Sequence, residues 1–341
     1  MDVAEVTARR PLAPTTVPYM RAARVTVLEG PAAVTVEEVE EPTLEPGHVL
    51  VDVHEAGVSF PDVLQSKGLY QMKPDLPFVP GAECAGVVRR AGADSTFQPG
   101  DRVAAFPILG AFAETVAVPE AMVFPLPDSV SFTAGAALLM NYLTVHFALA
   151  RRGHLERGET VLVHGAAGGI GTAAIQLAKA MGARVIAVVS SDQKRATAEQ
   201  AGAHHVINAD EFLARAKELT GGRGVDIVVD PVGGDRFTDS LRSLAPEGRV
   251  LVIGFTAGSI PEVKVNRLLL NNISVVGVAW GAMWMSEPGY LRIQWHALTP
   301  LLESGAIDPP IGSTHPLEDV AAALTEIDER RALGKVTLRV R

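Results

Sequence analysis

The chain has 341 residues, a length that as a prior gives about two domains. Its 48% hydrophobic and 20% charged residues suit a buried core and exclude wholesale disorder. A net charge of -9, with no Lys/Arg block longer than two, argues against a nucleic-acid groove, which needs clustered basic residues to displace counterions. The single cysteine, Cys84, allows no intramolecular disulfide and no zinc site built on several thiolates, and it fits a reducing cytoplasm.

Residues 1–19 mix Asp2, Glu5, Arg9 and Arg10 with Pro11, Pro14 and Pro18 and lack an apolar run, so they read as a flexible extension ahead of Met20. Residues 20–130 read as β: the alternating runs Ala22–Leu28, Val34–Val39 and Val49–Val53 are separated by turns at Gly30-Pro31, Pro46-Gly47 and Pro99-Gly100. Ser129 to Ala150 carries no Asp, Glu, Lys or Arg and is long enough to span a membrane. Its Asn141, Tyr142, Thr144 and His146 and its many small residues make two buried helices the better reading, and no membrane partner is expected. Beyond Ser131 strands alternate with helix-length segments, the texture of a parallel α/β sheet. Strands are expected at Thr160–His164, Arg184–Val189, His205–Ile207, Asp226–Asp230, Arg249–Ile253 and Ile273–Val278, with helices near 169–181, 192–201, 210–220 and 234–244. Helical stretches around 288–304 and 316–330 and a last strand Val336–Val340 complete the chain.

The most informative stretch is Val161-Leu162-Val163-His164-Gly165-Ala166-Ala167-Gly168-Gly169-Ile170-Gly171. An apolar strand runs into a glycine-rich turn that opens an amphipathic helix. Such a turn lets backbone approach a pyrophosphate, and the helix dipole and free N–H groups face the negative charge. Ala167, Gly168, Gly169 and Ile170 are therefore dinucleotide-binding candidates, while His164 reads as a core histidine and His204-His205 as structural residues. An acid about 20 residues on, at the end of the second strand, would hold the ribose 2′-OH of NADH. Here the strand ends Val189-Ser190-Ser191-Asp192-Gln193-Lys194. Ser190 leaves room for a 2′-phosphate and Lys194 would stabilise it, which favours NADPH over NADH. Asp192 either holds a 2′-OH or caps the next helix.

The chain resembles the zinc-free NADPH:quinone oxidoreductase (zeta-crystallin-like) branch of the medium-chain dehydrogenases/reductases. The resemblance runs from about Met20 to the C-terminus. It is carried by Glu45-Pro46-Gly47, Ala56-Gly57-Val58-Ser59-Phe60-Pro61-Asp62, Phe78-Val79-Pro80-Gly81-Ala82-Glu83 and Pro99-Gly100-Asp101-Arg102-Val103. The glycine turn, Asp230-Pro231-Val232-Gly233-Gly234 and Gly334-Lys335-Val336 continue it. It implies an α/β protein in which both chain ends, 20–140 and 282–341, form a GroES-like β domain around an inserted Rossmann domain at 141–281. Substrate would lie in the cleft between them.

The resemblance also implies chemistry. Zinc-dependent relatives place a cysteine where this chain has Ser59 and a histidine where it has Ala82, so no zinc is expected. Without a Lewis acid to hold an alkoxide, hydride transfer needs an acceptor that spreads charge by conjugation. An NADPH-dependent reduction of a quinone or other α,β-unsaturated carbonyl follows. The alternatives are a 2-enoyl thioester (enoyl-CoA) reductase and an NADPH-binding structural or sensory protein without turnover. Tyr70 sits where a proton-donating tyrosine is proposed in similar thioester reductases, and Ser59 replaces the family's asparagine, so both are candidate catalytic residues. Leu64 stands where quinone reductases often carry a second tyrosine. Thr144, Gly254, Phe255, Val278 and Lys335 match positions near the nicotinamide, whereas Ala209 replaces an aromatic or histidine that helps hold the 2′-phosphate. Relatives commonly dimerise through an edge strand of the cofactor domain, so a homodimer is expected, with Ile260–Val265 as the candidate edge.

Overall fold

The computed structural model describes residues 18–341, and two larger sheets carry the fold. One has six strands in the order His205–Asn208, Arg184–Val189, Thr160–Val163, Val225–Asp230, Leu244–Val252, Ser274–Gly277, and every pairing is parallel. Crossover helices cover both faces of such a sheet, so its strands read as continuous apolar runs. Val161 and Val163 face a core with Ala174, Ile175 and Leu177 of the helix Gly169–Ala180, whereas Leu162 faces Phe212 and Leu241 on the other side. The chain winds outward from Thr160–Val163 through two strands, then crosses back to place Val225–Asp230 on its other flank. Connections leave these neighbours in opposite directions, which opens a crevice at their C-terminal ends.

The second sheet takes strands from both ends of the chain, in the order Ile311–Pro316, Lys335–Arg339, His48–Val58, Glu83–Ala91, Arg102–Ala105, Val123–Pro125, with Thr115–Pro119 also pairing on His48–Val58. Its register matters for the site. Val336 lies opposite Val58 and Glu83 opposite Gly57, so Lys335, Ser59 and Glu83 arrive at one end of three neighbouring strands. Gly57 has no side chain there because an added Cβ would lie 2.0 Å from Ala136 O and 2.9 Å from the Glu83 side chain. The chain passes between the sheets on helices: residues 140/141 fall within Leu139–His146 and residues 281/282 within Trp280–Ser286.

Two local readings differ from the structure. The first strand spans Tyr19–Arg24, paired with Thr35–Glu40, and does not run to Leu28. Val25 leaves the hairpin to pair with Phe78, and Val27 and Leu28 are exposed. The charge-free stretch forms buried helices as expected, Phe132–Gly135 and Leu139–His146, the latter continued by a wider turn over Phe147–Arg152. It is buried within the protein, with the Tyr142 hydroxyl donating to Gln176 Oε1 at 2.7 Å. No helix of the described residues is long and apolar enough to cross a membrane. Ile260–Val265 forms no strand, since Pro261 has no N–H to give a ladder; the edge strand on that side of the parallel sheet is Ser274–Gly277, and His205–Asn208 is the other edge.

Candidate active site

A cleft of about 320 Å³ opens at the crevice between Thr160–Val163 and Val225–Asp230 and is walled on its far side by the GroES-like half. Its floor is the glycine turn. Gly165 has φ 58°, a left-handed conformation that a side chain would strain. Gly171 allows the helix to pack on the turn, since a Cβ there would meet Gly165 O at 2.2 Å and Ala166 Cα at 2.6 Å. Gly168 precedes the helix Gly169–Ala180 and no side chain caps that helix, so its N-terminus is open to an anion in the cleft. Across the turn, the Gly334 N–H donates to Ala167 O at 2.6 Å, which docks the Gly334-Lys335-Val336 segment on the phosphate end. The second wall comes from Asp230, whose Oδ1 accepts from the N–H groups of Val232 and Gly233 at 2.8 and 2.9 Å and so shapes the loop.

At the ribose end the lining includes Ser190, Lys194, Ala209, Arg236 and Arg330. Lys194 Nζ donates to Arg330 O at 3.1 Å, linking the two halves of the protein across the cleft. Arg236 pairs with Asp210 at 3.1 Å. Asp192 is not among the cleft's lining residues, and its carboxylate is 94% exposed, turned toward Arg195. No acid therefore stands where a 2′-OH would be held, whereas three cations rim the space.

At the other end lies a buried polar cluster. Lys335 Nζ donates to Ser59 Oγ at 2.7 Å and also to Glu83 Oε1, while Glu83 Oε2 accepts from Met140 N at 2.8 Å. The Lys335 and Glu83 side chains are 4% and 0% exposed. Asp62 lies below them: its Oδ2 accepts from Ser59 N at 2.7 Å and its Oδ1 has no partner. Burial pushes the Asp62 carboxyl up to about 7, helped by the negative charge of Glu83 and opposed by the Ser59 N–H and the Lys335 charge. The folded chain thus keeps a proton that the unfolded chain has lost, so this group's stabilising contribution declines as pH rises from about 4 through 7. The slope is on the order of 1.4 kcal/mol per pH unit. Asp62→Asn should flatten that part of the profile, checked by thermal melts of both proteins at pH 5.5 and 8.

Of the residues singled out in the sequence, the cleft brings together Ser59, Ala167, Gly168, Gly169, Ile170, Ser190, Lys194 and Lys335. Tyr70, Thr144, Gly254, Phe255 and Val278 lie off its lining. Thr144 donates to Met140 O within its own helix, Val278 is in the core, and half-buried Tyr70 has its hydroxyl pKa raised by burial and by Asp62. His164 lines the turn but is spent: Nε2 contacts Ser240 Oγ at 2.9 Å, and burial lowers its pKa to about 4. His204 and His205 bond to Val185 N and to the Arg184 guanidinium. Sequence reasoning missed Glu83, Asn141, Arg236 and Arg330. Glu83 did carry a signal, an acid within the apolar run Ala82-Glu83-Cys84-Ala85.

Comparison with known proteins agrees with this geometry. Residues 45–128 match the family described as alcohol dehydrogenase GroES-like domain and residues 169–296 the one described as zinc-binding dehydrogenase. The chain is 39% identical over 327 residues to quinone oxidoreductase-like protein 2 of Rattus norvegicus, covering 95% of this chain and 93% of that protein. A structure described as a probable oxidoreductase from Mycobacterium abscessus superposes with TM-score 0.88 at 46% identity, covering 95% of this chain and all of that one (100%). The Escherichia coli quinone oxidoreductase complexed with NADPH superposes with TM-score 0.86 at 30% identity, covering 94% and 100% of the two chains.

Proposed function

Since the chain belongs to the quinone oxidoreductase family of the medium-chain dehydrogenases/reductases, we propose that it is an NADPH-dependent reductase of quinones or other activated α,β-unsaturated carbonyls that works without a metal. The observation that carries this reading is the cleft itself: a phosphate-binding turn, a ribose end with Lys194, Arg236 and Arg330 and no acid, and a buried ammonium at the far end. When bound, the reduced nicotinamide supplies the hydride. The turn of residues 165–171 holds the pyrophosphate, Ser190 leaves space for the 2′-phosphate, and Lys194 and Arg330 neutralise it. The GroES-like half closes over the acceptor and excludes water. The donor set supports the metal-free part: Ser59 offers a hydroxyl, Ala82 nothing, and the Cys84 thiol is buried, its pKa driven up by that burial.

Lys194→Ala should weaken NADPH binding by ~1.5–3 kcal/mol, roughly tenfold to a hundredfold, and leave NADH binding unchanged. Fluorescence titration with both cofactors checks it; equal effects on the two would remove Lys194 from the phosphate site. The activity is tested by NADPH oxidation with 1,4-benzoquinone and with crotonyl-CoA, and a preference for the thioester would move the protein to the enoyl reductases.

The same reading includes cytoplasmic homodimers and the division 20–140 with 282–341 against 141–281. The open sheet edge Ser274–Gly277 adjoins a segment whose Ile260, Val265, Leu269 and Leu270 are each at least 74% exposed. An edge with unpaired ladder groups beside apolar side chains suits a second copy. Leu269→Glu with Leu270→Glu should convert a dimer to a monomer in light scattering, and an unchanged mass would exclude this surface.

A further inference from the structure

We propose that Ser59 and Lys335 form a proton relay at the inner end of the cleft, with Glu83 as the residue that positions it, and that the relay neutralises the oxyanion formed when the acceptor is reduced. The inference rests on the reductase reading above and adds the residues that deliver the proton.

Three observations converge. First, the strand register brings Lys335, Ser59 and Glu83 together from sequence positions as far as 276 residues apart, and Gly57 is kept clear so that the Glu83 side chain fits. Second, Ser59 and Lys335 line the cleft while Glu83 lies behind them, fully buried and fixed by Met140 N. Third, the hydrogen bonds have a direction. An ammonium can only donate, so Ser59 Oγ is the acceptor in its 2.7 Å contact with Lys335 Nζ. The hydroxyl proton must then point elsewhere. Its one partner among the described residues is Glu83 Oε1 at 3.3 Å, a long contact that a negatively charged oxygen in the cleft would displace.

The transfer balances as follows. Hydride reaching the acceptor leaves an electron pair on its oxygen; that oxygen takes the proton of the Ser59 hydroxyl, breaking the O–H bond. Ser59 Oγ in turn takes a proton from Lys335 Nζ. The lysine is left as a neutral amine beside the Glu83 carboxylate and is reprotonated by water as the product leaves. The other titratable group facing this cluster is Asp62, whose carboxyl accepts from the Ser59 backbone N–H. Tyr70 is off the cleft lining, and the relay does not include it.

The test uses four variants: Ser59→Ala, Lys335→Met, Ser59→Ala with Lys335→Met, and the double change Lys335→Met with Glu83→Gln, which removes both charges should the single lysine change fail to fold. The first readout is binding of 4-nitrophenol to the protein saturated with NADP⁺, followed by phenolate absorbance near neutral pH. The intact protein should bind the phenolate in preference to the phenol, and each variant should lose at least tenfold in phenolate affinity. The second is NADPH oxidation by 1,4-benzoquinone. Here kcat should fall by roughly 10² in Ser59→Ala and by no more when Lys335→Met is added, because members of one chain do not act additively. Phenolate affinity and kcat unchanged in Ser59→Ala, in a protein that reduces benzoquinone, would overturn the relay. A protein that reduces no quinone or enone at all overturns the reductase reading instead, and the phenolate titration still decides the relay.

Discussion

Lys335→Met should lower the unfolding free energy by about 3–5 kcal/mol, the range for removing one partner of a buried ion pair. The cause is what stays behind. Glu83 is fully buried, and without the ammonium its carboxylate keeps, among the described residues, the Met140 N–H and a long contact from Ser59. Either the charge remains, poorly compensated, or the group takes up a proton at a cost in free energy. Adding Glu83→Gln removes the orphaned charge, so the double variant should be more stable than Lys335→Met alone despite carrying more changes. Denaturant unfolding of both proteins checks the order. If the single variant were as stable as the parent, the ion pair would be worth nothing to the fold.

Gly171→Ala should weaken NADPH binding by ~3 kcal/mol or more, roughly a hundredfold. The added methyl would lie 2.2 Å from Gly165 O and 2.6 Å from Ala166 Cα, both backbone atoms that no rotamer change can move. The turn must open and the helix Gly169–Ala180 must tilt away, which spoils the aim of its N-terminus at the cleft. Gly47, where nothing lies within 4 Å of an added Cβ, is the control: it has φ 75° but no part in the cleft. Its alanine variant should lose some stability and keep NADPH affinity. Calorimetric titration of both variants makes the comparison, and equal loss of affinity would mean that the turn does not hold the cofactor.

These effects show how differently parts of the molecule are written in the chain. The parallel sheet was legible because each buried strand is a short apolar run and each crossover ends in a turn signal: Arg184–Val189 is found as expected, and the helix Gly169–Ala180 ends one residue early. The glycine turn was legible because strand, turn and helix are contiguous. Local pairing was less so. Nothing in Ala22–Leu28 says that Val25 leaves its hairpin for Phe78, because the competing partner lies 53 positions away (78 − 25). The relay was hidden for the same reason. Lys335 was noted as a residue near the cofactor, but its partner Glu83 lies on another strand, and only the register of three strands makes them neighbours. Arg330 likewise reads as one of two surface arginines; the contact of its carbonyl with Lys194 gives it a place on the cleft wall.

The most direct measurement pairs elemental analysis with kinetics on one chelator-treated preparation, using NADPH with 1,4-benzoquinone and NADP⁺ with a simple primary alcohol. The account predicts brisk quinone reduction at less than a tenth of an equivalent of zinc and no detectable alcohol oxidation. Stoichiometric zinc together with rapid alcohol oxidation would contradict it.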